Sequence, residues 1–270
     1  MATWAYTFDA DLDVVLQAAH NDELEPLVLL LSKDHSGKPL SSCPEYARFY
    51  PDHRRYIHLI SVKLRALGGH RMGNLLRLGQ GPSYLTVVKS VAEHLKVPFA
   101  QDDGIVALEQ KLLYHVMSGC YQDLSESEQK QLTAALTADE NSTAQASSTA
   151  QASSTALVAV EQGDYSKLSA QGRLLVATMV SQAVGKVVGF SLESWNTVNT
   201  VVGKSWTQLN ASLTATMVRL TALMQGLVGR PSYQILVPCV LHIASLRLMQ
   251  AGTKLEAPDP AALAHQAAPQ

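Results

Sequence analysis

Apolar residues in this 270-residue chain recur at intervals of three and four, and hardly anywhere at intervals of two. That spacing marks helices with one buried face. It predicts a short helix from Leu12 to Ala19, with Asp11 placed to cap it. Asp22 and Glu25 stand at capping-box spacing and open a second helix through the run "PLVLLL". From Asp52 to Leu67, Ile57, Ile60, Leu64 and Leu67 line one helical face, and Gly68-Gly69 stops the helix. A short helix follows at "RMGNLLRL", then another after Gly81-Pro82 with Leu85, Val88, Val91 and Leu95 on one face. Asp103 starts "GIVALEQKLLYHVM", and Ser125 with Glu128 forms a further capping box. Alternating β-branched runs bounded by hairpin turns are absent, so the predicted fold is all-α, a multi-helix bundle.

The stretch "LLVATMVSQAVGKVVGF", Leu174 to Phe190, carries one charge, Lys186. On a helix its polar or small residues fall at 178, 181, 182, 185, 186 and 189, which is one face. Ala177, Ser181, Gly185 and Gly189 form a ridge of small residues at every fourth position, suited to close approach of a second helix. Nine large apolar residues favour membrane insertion by about 3–5 kcal/mol, while a central lysine opposes it by about 3. Ser181 and Gln182 remove the remainder, and seventeen residues is at the short limit for a span. The stretch therefore reads as an amphipathic core helix, with a bilayer contact as the competing assignment.

Charge divides the chain. Residues 1–52 hold nine acids and three bases, whereas 53–92 hold seven bases and no acid. From Arg173 to Gln250 there are six bases and one acid. Between them, residues 141–156 repeat the unit STAQAS, which offers no large side chain to bury against the entropy of ordering. The predicted organisation is a charge-rich N-terminal helical part over 1–140, comprising an acidic module to 52 and basic helices over 53–122. A linker over 141–156, charge-poor amphipathic helices over 157–250 and a flexible tail over 251–270 complete it.

Several chemistries lack their residues. "DADLD" at 9–13 opens like a calcium loop, but Val14 stands where glycine is needed and His20 where glutamate is needed. His53 and His58, five apart, face different sides of a helix, and no H-E-x-x-H, phosphate loop or G-x-S-x-G occurs. Cys43, Cys120 and Cys239 stand too far apart for a zinc knuckle, so no metal or cofactor is expected. The N-terminus has no basic-then-apolar signal pattern, which points to the cytoplasm. The basic segment is the polar feature with weight. His70, Asn74 and Arg77 share a stripe flanked by Arg71, with Arg54 and Arg55 at the edge, a candidate surface for an anion or a partner. The competing assignment is that the acidic N-terminal helices neutralise it from within. Nucleic acid is disfavoured because only Tyr56 and Tyr84 are available there for base stacking.

Three stretches carry a family resemblance. "DLDVVLQAAHNDELEPLVLLL", the pattern Gly68, Gly69, Asn74, Arg77, Gly81 and Tyr84, and the closing helix with Tyr233 and Pro238 are similar to the YaaW-like bacterial family. The middle region is distantly similar to the ubiquinol–cytochrome c chaperone domain, and only the STAQAS repeat departs from the family pattern. The resemblance implies an all-α protein of assembly-factor or chaperone-like type, and it supplies no catalytic residues. The expectation is thus a non-enzymatic helical protein that binds a protein partner, with self-association available through its C-terminal helices. The competing expectation is a membrane-active protein whose C-terminal helices meet an anionic bilayer, peripheral at the inner membrane.

Overall fold

The structure, a computed structural model, describes residues 6–33, 39–68, 82–137, 168, 170–189, 213–226 and 232–256. Ten α-helices and no strand occur among them: α1 Ala10–Ala18, α2 Asn21–Ser32, α3 Pro44–Phe49, α4 Ile57–Gly68, α5 Tyr84–His94, α6 Ile105–Gln122, α7 Glu126–Thr137, α8 Ala170–Val188, α9 Thr214–Gly226 and α10 Tyr233–Glu256. Short 3-10 turns at Leu40–Ser42 and His53–Tyr56 flank α3. The protein is all-α, as the three-and-four spacing requires.

The caps at three helix starts differ from those the sequence suggests. Asp9, not Asp11, caps α1: its carboxylate accepts from the Asp11 N–H at 3.2 Å. In α2 the reciprocal acid is Glu23, which accepts from the His20 N–H at 2.7 Å, two residues earlier than the Asp22–Glu25 spacing. Asp103 precedes α6 without capping it, holding the Ala100 N–H at 2.8 Å and the Lys111 ammonium at 2.6 Å. The Ser125–Glu128 box forms as expected, with Glu128 accepting the Ser125 N–H at 2.7 Å.

Buried residues from Leu12 to Met249 form one hydrophobic cluster. The compositional boundary between the charge-rich and charge-poor parts is therefore not a boundary of the core. α10 runs through its middle, packing along α8 and touching α1, α2, α4, α5 and α6. α9 lies across α6 and α8. Tyr233 fastens the start of α10, with its ring stacked on His94 at 3.9 Å and its hydroxyl 2.8 Å from Ser90 Oγ.

The polar face of α8 turns inward. Thr178, Ser181, Gln182 and Gly185 are buried, and of that stripe only Lys186 and Gly189, at its end, reach solvent. Ala177, Ser181 and Gly185 are buried as a packing ridge would be, but Gly189 is not part of it. It sits beyond the helix end with φ +79° and open space where a Cβ would stand, ending α8 in the left-handed conformation. The close-approach glycine lies instead at Gly68, where an added Cβ would stand 2.5 Å from Val87 Cγ2 of α5. The STAQAS repeat, the "RMGNLLRL" helix and the tail beyond 256 lie outside the described residues.

Candidate partner-binding surface of the central helices

The turn between α3 and α4 is held by side chains from α2. Asn21 donates to the Pro51 carbonyl at 2.6 Å and accepts from the His53 N–H at 2.6 Å. Beneath it, the buried His53 ring bonds the Glu25 carboxylate through Nε2 and the Tyr56 hydroxyl through Nδ1 at 2.5 Å. A carboxylate only accepts, so Nε2 carries a proton. Burial first, then the nearby Tyr46 and Glu25, pushes the Tyr56 phenol well above its ordinary range. A carboxylate–imidazole–hydroxyl chain is the layout that activates a nucleophile. Here the hydroxyl is fully buried and held protonated, so the chain fixes the turn and presents no attacking group.

Outside this scaffold, Arg54 and Arg55 are exposed. The Arg55 guanidinium lies 5.0 Å from the Phe49 ring centroid, and that of Arg48 lies 5.2 Å away. Tyr50 beside them is 47% exposed. Asp52 stands 3.5 Å from Arg55, with both side chains mostly in solvent, a pairing of about 0–1 kcal/mol. Arg48, Arg54 and Arg55 thus form a basic rim with an aromatic floor. Of the other residues singled out in the basic stripe, His70, Arg71, Asn74 and Arg77 lie outside the described residues.

Eleven positions after Arg54 the same charge is internal. Arg65 is 6% exposed, donates to the Thr7 carbonyl at 2.6 Å and stands 3.7 Å from the Asp9 carboxylate. Asp9 also accepts the Tyr84 N–H at the start of α5, at 2.7 Å. The acidic N-terminus thus supplies the counter-charge for this member of the basic segment.

Two buried polar sites join α10 to the N-terminal helices, and neither stands out in the sequence as a motif. Arg247 reaches from α10 to Glu109 on α6 at 2.5 and 3.3 Å and also donates to the Asp11 carbonyl. The Tyr84 hydroxyl donates to Glu109 at 3.0 Å. Burial pushes the Glu109 carboxyl above its usual range, opposed by Arg247 and Tyr84. One turn and a half earlier on α10, His242 Nε2 stands 2.8 Å from the Glu23 carbonyl, and Nδ1 stands 3.1 Å from Ser181 Oγ. A carbonyl can only accept, so Nε2 holds the proton and Nδ1 accepts from the serine. Burial lowers the His242 pKa to about 4, against the Glu23 carbonyl, so the ring is neutral near pH 7. The sequence signals for these sites are the acid of "IVALEQKLL" and the base of "IASLRLM", each set among apolar residues.

Among proteins of known sequence, the chain is similar to UPF0174 protein YaaW of Escherichia coli O157:H7, with 25% identity over 258 residues, 93% of this chain and 98% of that protein. No family profile matches the chain. No solved structure matches it either. The likeness runs nearly the whole length of both chains and supports the resemblance to the YaaW-like family; it does not bear on the distant chaperone-domain resemblance.

Proposed function

We propose that this protein is a non-enzymatic binding protein of assembly-factor type, engaging an acidic protein partner through the rim of Arg48, Arg54 and Arg55. The observation that carries this reading is the contrast between a rigid base and solvent-exposed charges. Asn21, Glu25, His53 and Tyr56 lock the turn, while Arg54 and Arg55 stay in solvent. Guanidinium groups already stacked on Phe49 lose less freedom on binding than free lysines would. Charge reversal tests it. Protein immobilised from its native lysate should capture a partner at low salt and release it as salt is raised, because exposed charge pairs are screened. Arg54→Glu with Arg55→Glu should abolish capture and leave the circular dichroism melt unchanged. An unchanged set of captured proteins would sink the assignment.

The membrane-active reading rests on one observation. Tyr233–Ala251 is the one helix among the described residues long and apolar enough to cross a bilayer, by length and composition only. Most of it is buried in the protein, and entering a bilayer would break the Arg247–Glu109 and His242–Glu23 bonds. Flotation with anionic vesicles separates the two readings: binding that survives high salt and the charge reversal would favour the bilayer.

A further inference from the structure

Residues 6–9 run as an irregular strap across one face of α4. His58, Ser61 and Arg65 recur there at helical spacing, and the strap meets both ends of that row. The Tyr6 ring packs edge-on against His58 at 5.9 Å, and the Tyr6 hydroxyl donates to Asp13 at 3.2 Å. At the other end, one guanidinium reads two groups of the strap: the Thr7 carbonyl at 2.6 Å and the Asp9 carboxylate at 3.7 Å. The first N–H of α5, from Tyr84, completes the Asp9 site at 2.7 Å.

This seam is incompletely bonded. Asp13 Oδ1, Ser61 Oγ and Arg65 Nε have no hydrogen-bond partner, and all three residues are at least nine-tenths buried. Unmade buried hydrogen bonds cost more than made ones return, so such groups call for a reason. The strap also buries little of itself, since Tyr6 is 41% and Phe8 53% exposed. A segment with few buried apolar contacts and an under-bonded seam belongs to the low-stability end of a structure.

We infer that the cleft between α4 and the first turn of α5 is a binding site for an extended acidic peptide, and that Asp9 occupies it in cis. The ligand chemistry is read from the occupant: a main-chain carbonyl and, two residues on, a side-chain carboxylate, both presented to Arg65. The unpaired Arg65 Nε and Ser61 Oγ leave a donor and a hydroxyl for a ligand that bonds more fully than the strap. A partner's aspartate or glutamate in an extended segment would displace residues 6–9. This cleft is distinct from the Arg54–Arg55 rim and does not depend on it.

The test uses the full chain and a labelled synthetic peptide, YTFDADLD, copying Tyr6 to Asp13. Asp9→Ala removes the strap's carboxylate from the cleft and should bind the peptide at least about tenfold more tightly than the parent does. A peptide with asparagine at the place of Asp9 should bind about tenfold more weakly, a one-charge loss of roughly 1.4 kcal/mol. Arg54→Glu with Arg55→Glu should leave peptide binding unchanged, which separates this site from the rim. Should Asp9→Ala fail to fold, hydrogen exchange in the parent decides. The Asp9 amide is expected to exchange at least about a hundredfold faster than that of Leu64 in α4. Exchange of Asp9 only with global unfolding, or a folded Asp9→Ala with no affinity for the peptide, would overturn the assignment.

Discussion

Arg54 and Arg65 stand eleven residues apart in one acid-free segment, yet they end in opposite environments. Arg54 is exposed on the turn before α4, whereas Arg65 is buried in α4 against Thr7 and Asp9. Arg247 on α10 repeats the internal solution with Glu109 and the Asp11 carbonyl. The difference lies in what the rest of the fold brings to each side chain. α1 and the strap before it supply acceptors to Arg65 and Arg247 and none to Arg54. A run of like charge in sequence is therefore a mixture of cross-links between helices and groups left for a partner.

If that division is real, substitutions should separate the two classes by size. The largest loss is expected at Arg247→Ala, which leaves the Glu109 carboxyl buried without its cation. Removing one partner of such a pair costs about 3–5 kcal/mol, read from urea unfolding. Adding Glu109→Gln should recover part of it; equal loss in single and double variants would show that the pair is not coupled.

His242 gives a window in pH. Its folded pKa, about 4, lies below the unfolded value of 6.5, so the unfolded chain binds the proton more readily between them. The stability from the neutral ring is complete above about pH 6.5 and is lost as pH falls toward 4, by roughly 3 kcal/mol in all. Glu109 works in the opposite sense, because its raised pKa favours the folded state on acidification. The comparison of parent with His242→Gln across pH 4–7 isolates the imidazole. Parallel pH profiles for the two proteins would rule out a buried neutral ring.

A smaller effect is expected at Gly189. With φ +79° and open space around it, Gly189→Ala should lose about 1 kcal/mol through the left-handed backbone alone. A stabilised variant would restore the glycine to the helix interior. Smallest of all is Arg55→Ala, whose pairing with Asp52 is solvent-exposed and should change stability by no more than about 0.5 kcal/mol in thermal melts. A loss as large as that at Arg247 would mean that the rim is structural.

Much of the helical pattern is legible from local chemistry. The three-and-four spacing of α4, α5 and α6 and the Ser125–Glu128 box depend on neighbours within a turn or two. The buried sites depend on residues far apart in the chain. Thr178, Ser181 and Gln182 look the same in sequence whether they face water or a histidine, and the histidine that meets Ser181 is 61 residues away. The network of Glu25, His53 and Tyr56 was equally out of reach, since α2 and the turn before α4 are joined only by the fold.

The stretch "DADLD" divides the two kinds of information most clearly. Its composition alone determines that a helix begins there, because Asp9, Asp11 and Asp13 are each able to accept from the first free N–H groups. Which of them becomes the cap is decided elsewhere. Asp9 is also within reach of Arg65 and the Tyr84 N–H, while Asp13 turns inward to Tyr6. Local propensity sets the element to within a turn. The choice among equivalent side chains falls to the partners that the tertiary structure delivers, since each buried carboxylate must find its hydrogen bonds there.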